Sequence, residues 1–368
     1  MHRRGLLKLA AGLPLAAAGL SAAPAAAATA PLPPPRGRVA GLLVREDHLV
    51  RPANRSRLRG LVLRLPWSVA QPTPGAAISE AAEELLDGAE AAADFPFLKL
   101  RLLAGIDSPE WAKEIGDGPL PWVDPDDVTA AHTVPHWWDA GFLAAYEDLL
   151  TKLAPVLAGR PRWAEVTVSA TCTVFAEPCI KQFGVAANRS TAICAGYTDG
   201  ADQDALEEAM AAHHRRLTPL GITSSVAYNP WQTLDAGGAL KTDPNTTIAL
   251  MNHQRTTMET YGVWANNSLS VREENGELVQ TRPEYESMYQ HMITAAGQGH
   301  PVQFQTATLA KIEDAGGTVY DTASWAARNG AVSVELPRGW EQAPDKVINQ
   351  DRADELNARF ADNAADTL

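Results

Sequence analysis

Residues 163 to 180 read WAEVTVSATCTVFAEPCI. The run Trp163-Ala-Glu-Val-Thr-Val-Ser-Ala has the β-branched, near-continuous apolar character of a buried strand. The stretch ends in Glu177-Pro178, and Pro178 disfavours a helix directly at Glu177. This predicts an acidic side chain carried at the end of an interior strand.

Working outward, strand-like and helix-like blocks alternate along the chain. Strand-like runs fall at 39–44, 61–67, 97–105, 165–170, 222–228, 247–252, 301–305 and 331–336. Helical spacing appears at 78–93, with Ser79 as cap, and at 139–158, where Asp139 precedes Phe142, Tyr146, Leu149, Leu150 and Leu153. Further helices are expected at 202–218 and 283–297. Strands separated by helices imply parallel pairing with helices outside. Eight such strands in roughly 330 residues predict a single-domain (β/α)8 TIM barrel over 39–368. A doubly wound open sheet is the alternative. It would usually carry a glycine-rich phosphate loop after its first strand, and neither GxGxxG nor GxxxxGK[ST] occurs.

The ends of the chain and its composition bound the function. Residues 1–30, MHRRGLLKLAAGLPLAAAGLSAAPAAAATA, have the layout of a bacterial export signal: Arg3-Arg4, an apolar run, then small residues. The paired arginines favour the twin-arginine route, with a general export signal as the alternative. The mature protein is therefore expected outside the cytoplasm, secreted into the extracellular or cell-wall space. Residues 31–38, PLPPPRGR, read as an extended proline-rich linker. Beyond the signal no apolar run is long enough to span a bilayer, so no membrane insertion is expected after its removal. The formal net charge is −13, which argues against nucleic acid and anionic membranes as partners. Signal removal takes Arg3, Arg4 and Lys8 and no acid, leaving 28 basic against 44 acidic residues. The three cysteines allow at most one disulfide, Cys179–Cys194 or Cys172–Cys179. No Cys/His spacing resembles a zinc site, and His213-His214 falls on a charged helical segment where exposure is expected. No cofactor or metal is implied, and nothing here fixes an oligomeric state.

In a barrel, function gathers where strands end. Just past the predicted strands lie Arg64 and Trp67, Asp107 and Trp111, Glu177, Asn229 and Trp231, Asn252 and His253, Gln303 and Gln305, and Glu335; His136-Trp137-Trp138 precedes the 139–158 helix. Such a rim suits carbohydrate, because indoles stack on sugar faces while amides, imidazoles and guanidiniums bond hydroxyls. Trp67, Trp137, Trp138, Trp231 and Trp264 are the candidate platforms, against the alternative that they fill the core. Glycoside hydrolysis needs two carboxyl groups, one donating a proton and one acting as nucleophile or base. Glu177 is the candidate donor.

The block VLRLPWSVAQPTPG (62–75), the LKLRLLAG run and the later VTVSATCTVFAEP resemble the (β/α)8 glycoside hydrolases of the cellulase and β-galactosidase type. The resemblance implies that Arg64 matches a site-supporting arginine of the second strand. It implies that Glu177 matches the acid/base glutamate of an Asn-Glu-Pro motif, with Ala176 in place of the asparagine. It also implies a nucleophile on the seventh strand, where PVQFQTAT places Gln305, an amide that cannot attack the anomeric carbon. Three readings follow: Glu335 supplies the second carboxylate, Asp107 activates water in an inverting reaction, or the barrel binds sugar without cleaving it. A metal-using lyase or isomerase is a further class, and the missing His/Asp/Glu ligand set counts against it.

Overall fold

The structure, a computed structural model, describes residues 31–45, 52–91, 95–235, 237–342 and 348–367. Residues 1–30, where an export signal is expected, lie outside them. Eight parallel strands close into a barrel: β1 (Gly41–Arg45), β2 (Gly60–Pro66), β3 (Phe97–Leu103), β4 (Trp163–Thr167), β5 (Thr223–Ala227), β6 (Gly262–Leu269), β7 (Val302–Thr306) and β8 (Ser333–Glu335). Closure is made by β1, whose Leu43 pairs with Gly60 of β2 on one side and Glu335 of β8 on the other. The chain is a (β/α)8 TIM barrel.

The outer helices are α1 (Glu80–Ala91), α2 (Ala140–Ala158), α3 (Asp199–Leu217), α4 (Pro244–Met258), α5 (Glu286–Ala296), α6 (Val319–Arg328) and α7 (Gln350–Ala365). Between β1 and β2 the described residues hold a short 3-10 turn, Pro52–Arg57. The expected caps form: Ser79 Oγ accepts from the Ala82 amide at 3.1 Å, and Asp139 accepts from Gly141 and Phe142 at 2.7 and 3.1 Å. Helix α2 buries Phe142, Tyr146, Leu149, Leu150 and Leu153 against the strands.

Two expectations are corrected. The run 247–252 is not a strand but the heart of α4. Asp243 caps it, accepting from the Asn245 amide at 2.9 Å, and Pro244 takes the first turn, where its missing N–H is harmless. The sixth strand is instead Gly262–Leu269. His213 is buried rather than exposed: its Nε2 meets the Tyr146 hydroxyl at 2.9 Å and its Nδ1 the Ser224 hydroxyl at 3.1 Å. Burial lowers its pKa to about 3, so it is a neutral packing residue.

Residues 31–38 begin exposed and then dock. The Arg36 guanidinium donates to the carbonyls of Leu220, Leu157, Arg160 and Trp163 at 2.8 to 3.1 Å. Arg38 is buried and bonds the Thr260 and Thr367 carbonyls at 2.8 and 3.0 Å. Both arginines thereby satisfy carbonyls where helices end and strands begin.

The barrel interior is ionic where branched aliphatic layers are usual. Lys99 of β3, Glu165 of β4 and Gln303 of β7 form a closed triangle. Lys99 Nζ lies 2.8 Å from Glu165 and 2.7 Å from Gln303 Oε1, and Gln303 Nε2 donates to Glu165 at 2.6 Å. Further toward the strand ends, Arg101 of β3 binds Glu335 of β8 through two bonds. Three antiparallel hairpins, Leu120–Asp124 with Asp127–Val134, Trp231–Leu234 with Leu240–Asp243, and Val271–Glu274 with Glu277–Gln280, follow β3, β5 and β6 at that same end.

Candidate active site at the barrel mouth

Strand β4 ends at Thr167, and Glu177 is carried on the loop beyond rather than at the strand's last residue. The backbone leaves the sheet at a turn in which the Cys172 amide donates to the Ser169 carbonyl at 3.0 Å. The loop then crosses the end of β3, where the Ile106 amide donates to the Thr173 carbonyl at 2.8 Å. Gly105 permits that crossing: its φ is +63°, and a Cβ there would sit 1.9 Å from the Thr173 oxygen.

The far side of the loop is locked by Lys181 and Asp202, both 0% exposed. Their ion pair is 2.9 Å long, and Lys181 also donates to the Thr171 carbonyl. The ammonium lies 5.0 Å from the Trp137 ring centre and 5.7 Å from that of Trp231. Asp202 in turn accepts from Trp137 Nε1 at 2.8 Å and the Tyr197 hydroxyl at 3.1 Å. Gln232 closes the loop by accepting from the Lys181 and Phe183 amides at 2.8 and 3.1 Å. The expected disulfide is absent. Cys172 and Cys179 are separate buried thiols and Cys194 is an exposed one. The loop is held by charge and amide bonds instead.

Held in this way, the Glu177 carboxylate accepts from Asn267 of β6 at 3.2 Å and from Asn229, just past β5, at 3.4 Å. Asn229 is oriented by the Tyr285 hydroxyl at 3.1 Å, and neighbouring Asn266 by Tyr289 at 2.9 Å. The residue keeps some open surface while its carboxyl group lies among protein atoms. Burial raises its pKa; the Asn267 bond and the charges of Arg101, Arg45 and Lys311 offset part of that rise.

Glu335 has the opposite environment. It is 3% exposed, and Arg101 grips it through two bonds of 3.0 and 2.5 Å. Arg45 of β1 adds a contact at 2.6 Å. Burial would raise this carboxyl, but the two guanidiniums more than offset it and hold the pKa below the ordinary value. Glu335 therefore pairs with Arg101 and Arg45.

The other candidates divide. Arg64 is exposed, at a β2 position in register with Arg101. Asp107 is half-buried; burial raises its pKa, and the nearby charges of Arg64, Lys113 and His132 lower it. Gln305 is half-buried in register with Glu335, and its Oε1 has no hydrogen-bond partner. Trp67, Trp137 and Trp264 are 0% exposed and Trp231 is 1% exposed. These indoles fill the core: Trp67 meets Trp111, Phe142 and Tyr146, and Trp137 meets Trp122. Trp138 alone of the five proposed platforms keeps part of its surface. His136 is buried with its ring 5.3 Å from that of Trp138. His253 lies on α4, bonded to Thr257 and 3.4 Å from Glu207, and not past a strand end. Sequence reasoning missed Arg45, Arg101, Asn267, Tyr285 and Lys311. It also missed Phe175, 38% exposed beside Glu177. The alternation of Lys99 and Arg101 with leucines in FLKLRLL was the legible signal for charged interior positions.

Among the described residues no three His, Cys, Asp or Glu side chains are grouped to hold a metal, and no helix is long and apolar enough to cross a membrane. No protein-family profile and no curated protein matches the sequence. Solved structures do match. A trimodular GH5_4 subfamily endoglucanase aligns with a TM-score of 0.50 at 12% identity, over 88% of this chain and 60% of that one. The full-length tri-modular endo-β-1,4-glucanase B from Bacillus halodurans aligns with 0.50 at 11% identity, over 88% and 60%. The catalytic domain of β-amylase from Paenibacillus polymyxa aligns with 0.48 at 10% identity, over 85% and 94%. The chain thus spans about 60% of the length of the two glucanases. At these identities the likeness is one of fold: this chain has the eight-stranded parallel barrel on which GH5-type cellulases are built.

Proposed function

We propose that the chain is an exported glycoside hydrolase acting on a polysaccharide or oligosaccharide, with Glu177 as proton donor and Glu335 as the ionised carboxylate facing the sugar. One observation carries this reading. Two carboxyl groups share the electrostatic field of Arg101 and Arg45, and their surroundings push them in opposite directions. Burial favours the protonated form of Glu177, and the guanidiniums favour the ionised form of Glu335. Opposed pKa values in one site are how an acid and an anionic partner are assigned. In the reaction Glu177 gives its proton to the glycosidic oxygen as the bond to the anomeric carbon breaks. The positive charge that develops on the sugar is stabilised by Glu335, water then forms the new bond to the anomeric carbon, and the proton released from that water restores the protonated form of Glu177. Asn229 and Asn267, bonded to Glu177, fix its direction. The arginine pair beginning the chain supports export, and the cellulase-type fold supports the glycan class.

A second reading is a barrel that binds glycan without cleaving it. The enclosure of Glu335, with both oxygens engaged, and the amide at Gln305 favour it. Hydrolysis assays on a panel of plant and microbial glycans separate the two. Glu177→Gln is expected to lower activity by roughly 100-fold or more. Undiminished turnover in that variant ends the proposal, and calorimetric binding with no product from the unaltered protein replaces it with the second reading.

A further inference from the structure

Between Trp163 and Phe183 every residue is buried or half-buried except Phe175. The loop inverts the usual sorting of side chains. Thr171, Thr173, Lys181 and Gln182 are interior, while Phe175 is 38% exposed. Of the large hydrophobic side chains that stand exposed among the described residues, it is the one aromatic. Among those residues its ring meets no other aromatic ring. Val174 and Ala176 on either side are buried. The backbone thus alternates in, out, in, and directs the phenyl ring away from the core.

Phe175 is tied to Glu177 through the main chain. The Glu177 amide donates to the Phe175 carbonyl at 2.7 Å, closing a three-residue turn, and the Ile180 amide donates to the Glu177 carbonyl at 3.0 Å. The crossing at Gly105 and the Lys181–Asp202 pair hold the loop on either side of this turn, so the exposed ring is a fixed feature of it. Glu335 is held from another part of the barrel, by Arg101 of β3 and Arg45 of β1, whereas Glu177 leans on Asn229 past β5 and Asn267 of β6. In the reaction proposed above, the anomeric carbon faces Glu335, and the departing sugar keeps the oxygen that Glu177 protonates. The leaving sugar therefore lies on the Glu177 side, where Phe175 stands.

We propose that Phe175 stacks on the pyranose ring of the leaving group and sets a preference for glycans that carry a sugar there. This rests on the hydrolase reading above and adds a specificity-determining residue to it. The C–H groups on a pyranose face are polarised positive by the neighbouring oxygens and match the electron-rich face of a phenyl ring. Covering that ring also removes apolar surface from water, which the folded chain by itself leaves undone.

The test compares a sugar leaving group with one that has no ring. The glycan is whichever of cellohexaose, laminarihexaose, mannohexaose and xylohexaose the protein cleaves fastest. Its counterpart is the glycosyl fluoride of the same sugar, in both anomers, whose carbon–fluorine bond breaks to release fluoride while water takes its place on the anomeric carbon. Phe175→Ala is expected to lower kcat/KM on the hexamer by about tenfold or more. On the fluoride it should stay within about twofold of the unaltered protein. Phe175→Tyr keeps the ring and should match the unaltered protein on both substrates. Because the ring is exposed, both variants are expected to melt with the unaltered protein. Undiminished cleavage of the hexamer by Phe175→Ala overturns the inference and leaves the hydrolase reading standing. Equal losses on hexamer and fluoride also overturn it, since the ring then only supports the Glu177 turn. Failure of the unaltered protein to hydrolyse any of these substrates ends the hydrolase reading. Loss of calorimetric hexamer binding in Phe175→Ala then keeps the ring as a sugar contact, and undiminished or absent binding removes it.

Discussion

Glu177 and Glu335 are the same residue type with opposite titration, and the difference lies entirely in their neighbours. For Glu335 the folded pKa is depressed, so its ionised form stabilises the fold above the unfolded carboxyl value. That contribution is lost as pH falls through the folded value. Glu335→Gln leaves Arg101 and Arg45 without their counter-charge and is expected to lose about 3–5 kcal/mol near pH 7. Urea unfolding from pH 7 down to pH 3 should show the gap to the unaltered protein narrowing with acid. A gap that is constant with pH would contradict the ion-pair account. For Glu177 the folded pKa is raised, so stability is full below the unfolded value and declines as pH rises through the folded one. The same shift predicts that turnover falls on the alkaline side as the donor ionises, and that limb should be missing from the residual activity of Glu177→Gln. The tryptophans show the reverse problem at this scale. Their positions near strand ends were readable in the chain, but whether a ring faces sugar or core depends on what packs over it. For Trp67, Trp137, Trp231 and Trp264 the neighbours cover the ring.

At the scale of elements, periodicity read α1 and α2 well because their caps and apolar stripes are local signals. It misread 247–252, where Thr-Ile-Ala-Leu-Met has strand-like composition. The decisive residues there are Asp243 and Pro244 just upstream, which start a helix. The sixth strand, Gly262–Leu269, carries polar Asn266, Asn267 and Ser268 just before its final leucine. Those asparagines look like loop residues until Tyr289 and Glu177 are seen to engage them. The Glu177 loop is the element on which the site depends. Lys181→Met strands a buried Asp202 and is expected to destabilise the protein by about 3–5 kcal/mol, read from denaturant midpoints. Adding Asp202→Leu should recover a substantial part of that loss, because the pair is then removed whole. A double variant no more stable than Lys181→Met would show that the pair does more than compensate its own burial.

For the whole molecule, residues 31–38 matter more than a linker would. A chain beginning at Val39 lacks the six main-chain bonds made by Arg36 and Arg38. It is expected to melt several degrees below one beginning at Pro31, since hydrogen bonds from a charged group contribute about 1.5–3 kcal/mol each where they bridge buried carbonyls. Equal melting temperatures would return the segment to linker status.

The barrel itself was determined by sequence: alternating strand and helix patterns in sufficient number leave few other closed solutions, and each pattern is a property of neighbouring residues. The Glu177-Pro178 motif and Arg64 were visible for the same reason. What only the tertiary structure decided is which charges meet. Arg101 and Glu335 are far apart in the chain, and no local pattern marks them as partners of one another. Their pairing follows from strand register and barrel closure, which bring β1, β3 and β8 around one interior. The Lys181–Asp202 lock and the burial that raises Glu177 arise in the same way. Interaction energy and dielectric depend on distance through space, and a linear sequence does not contain that distance until the chain has folded.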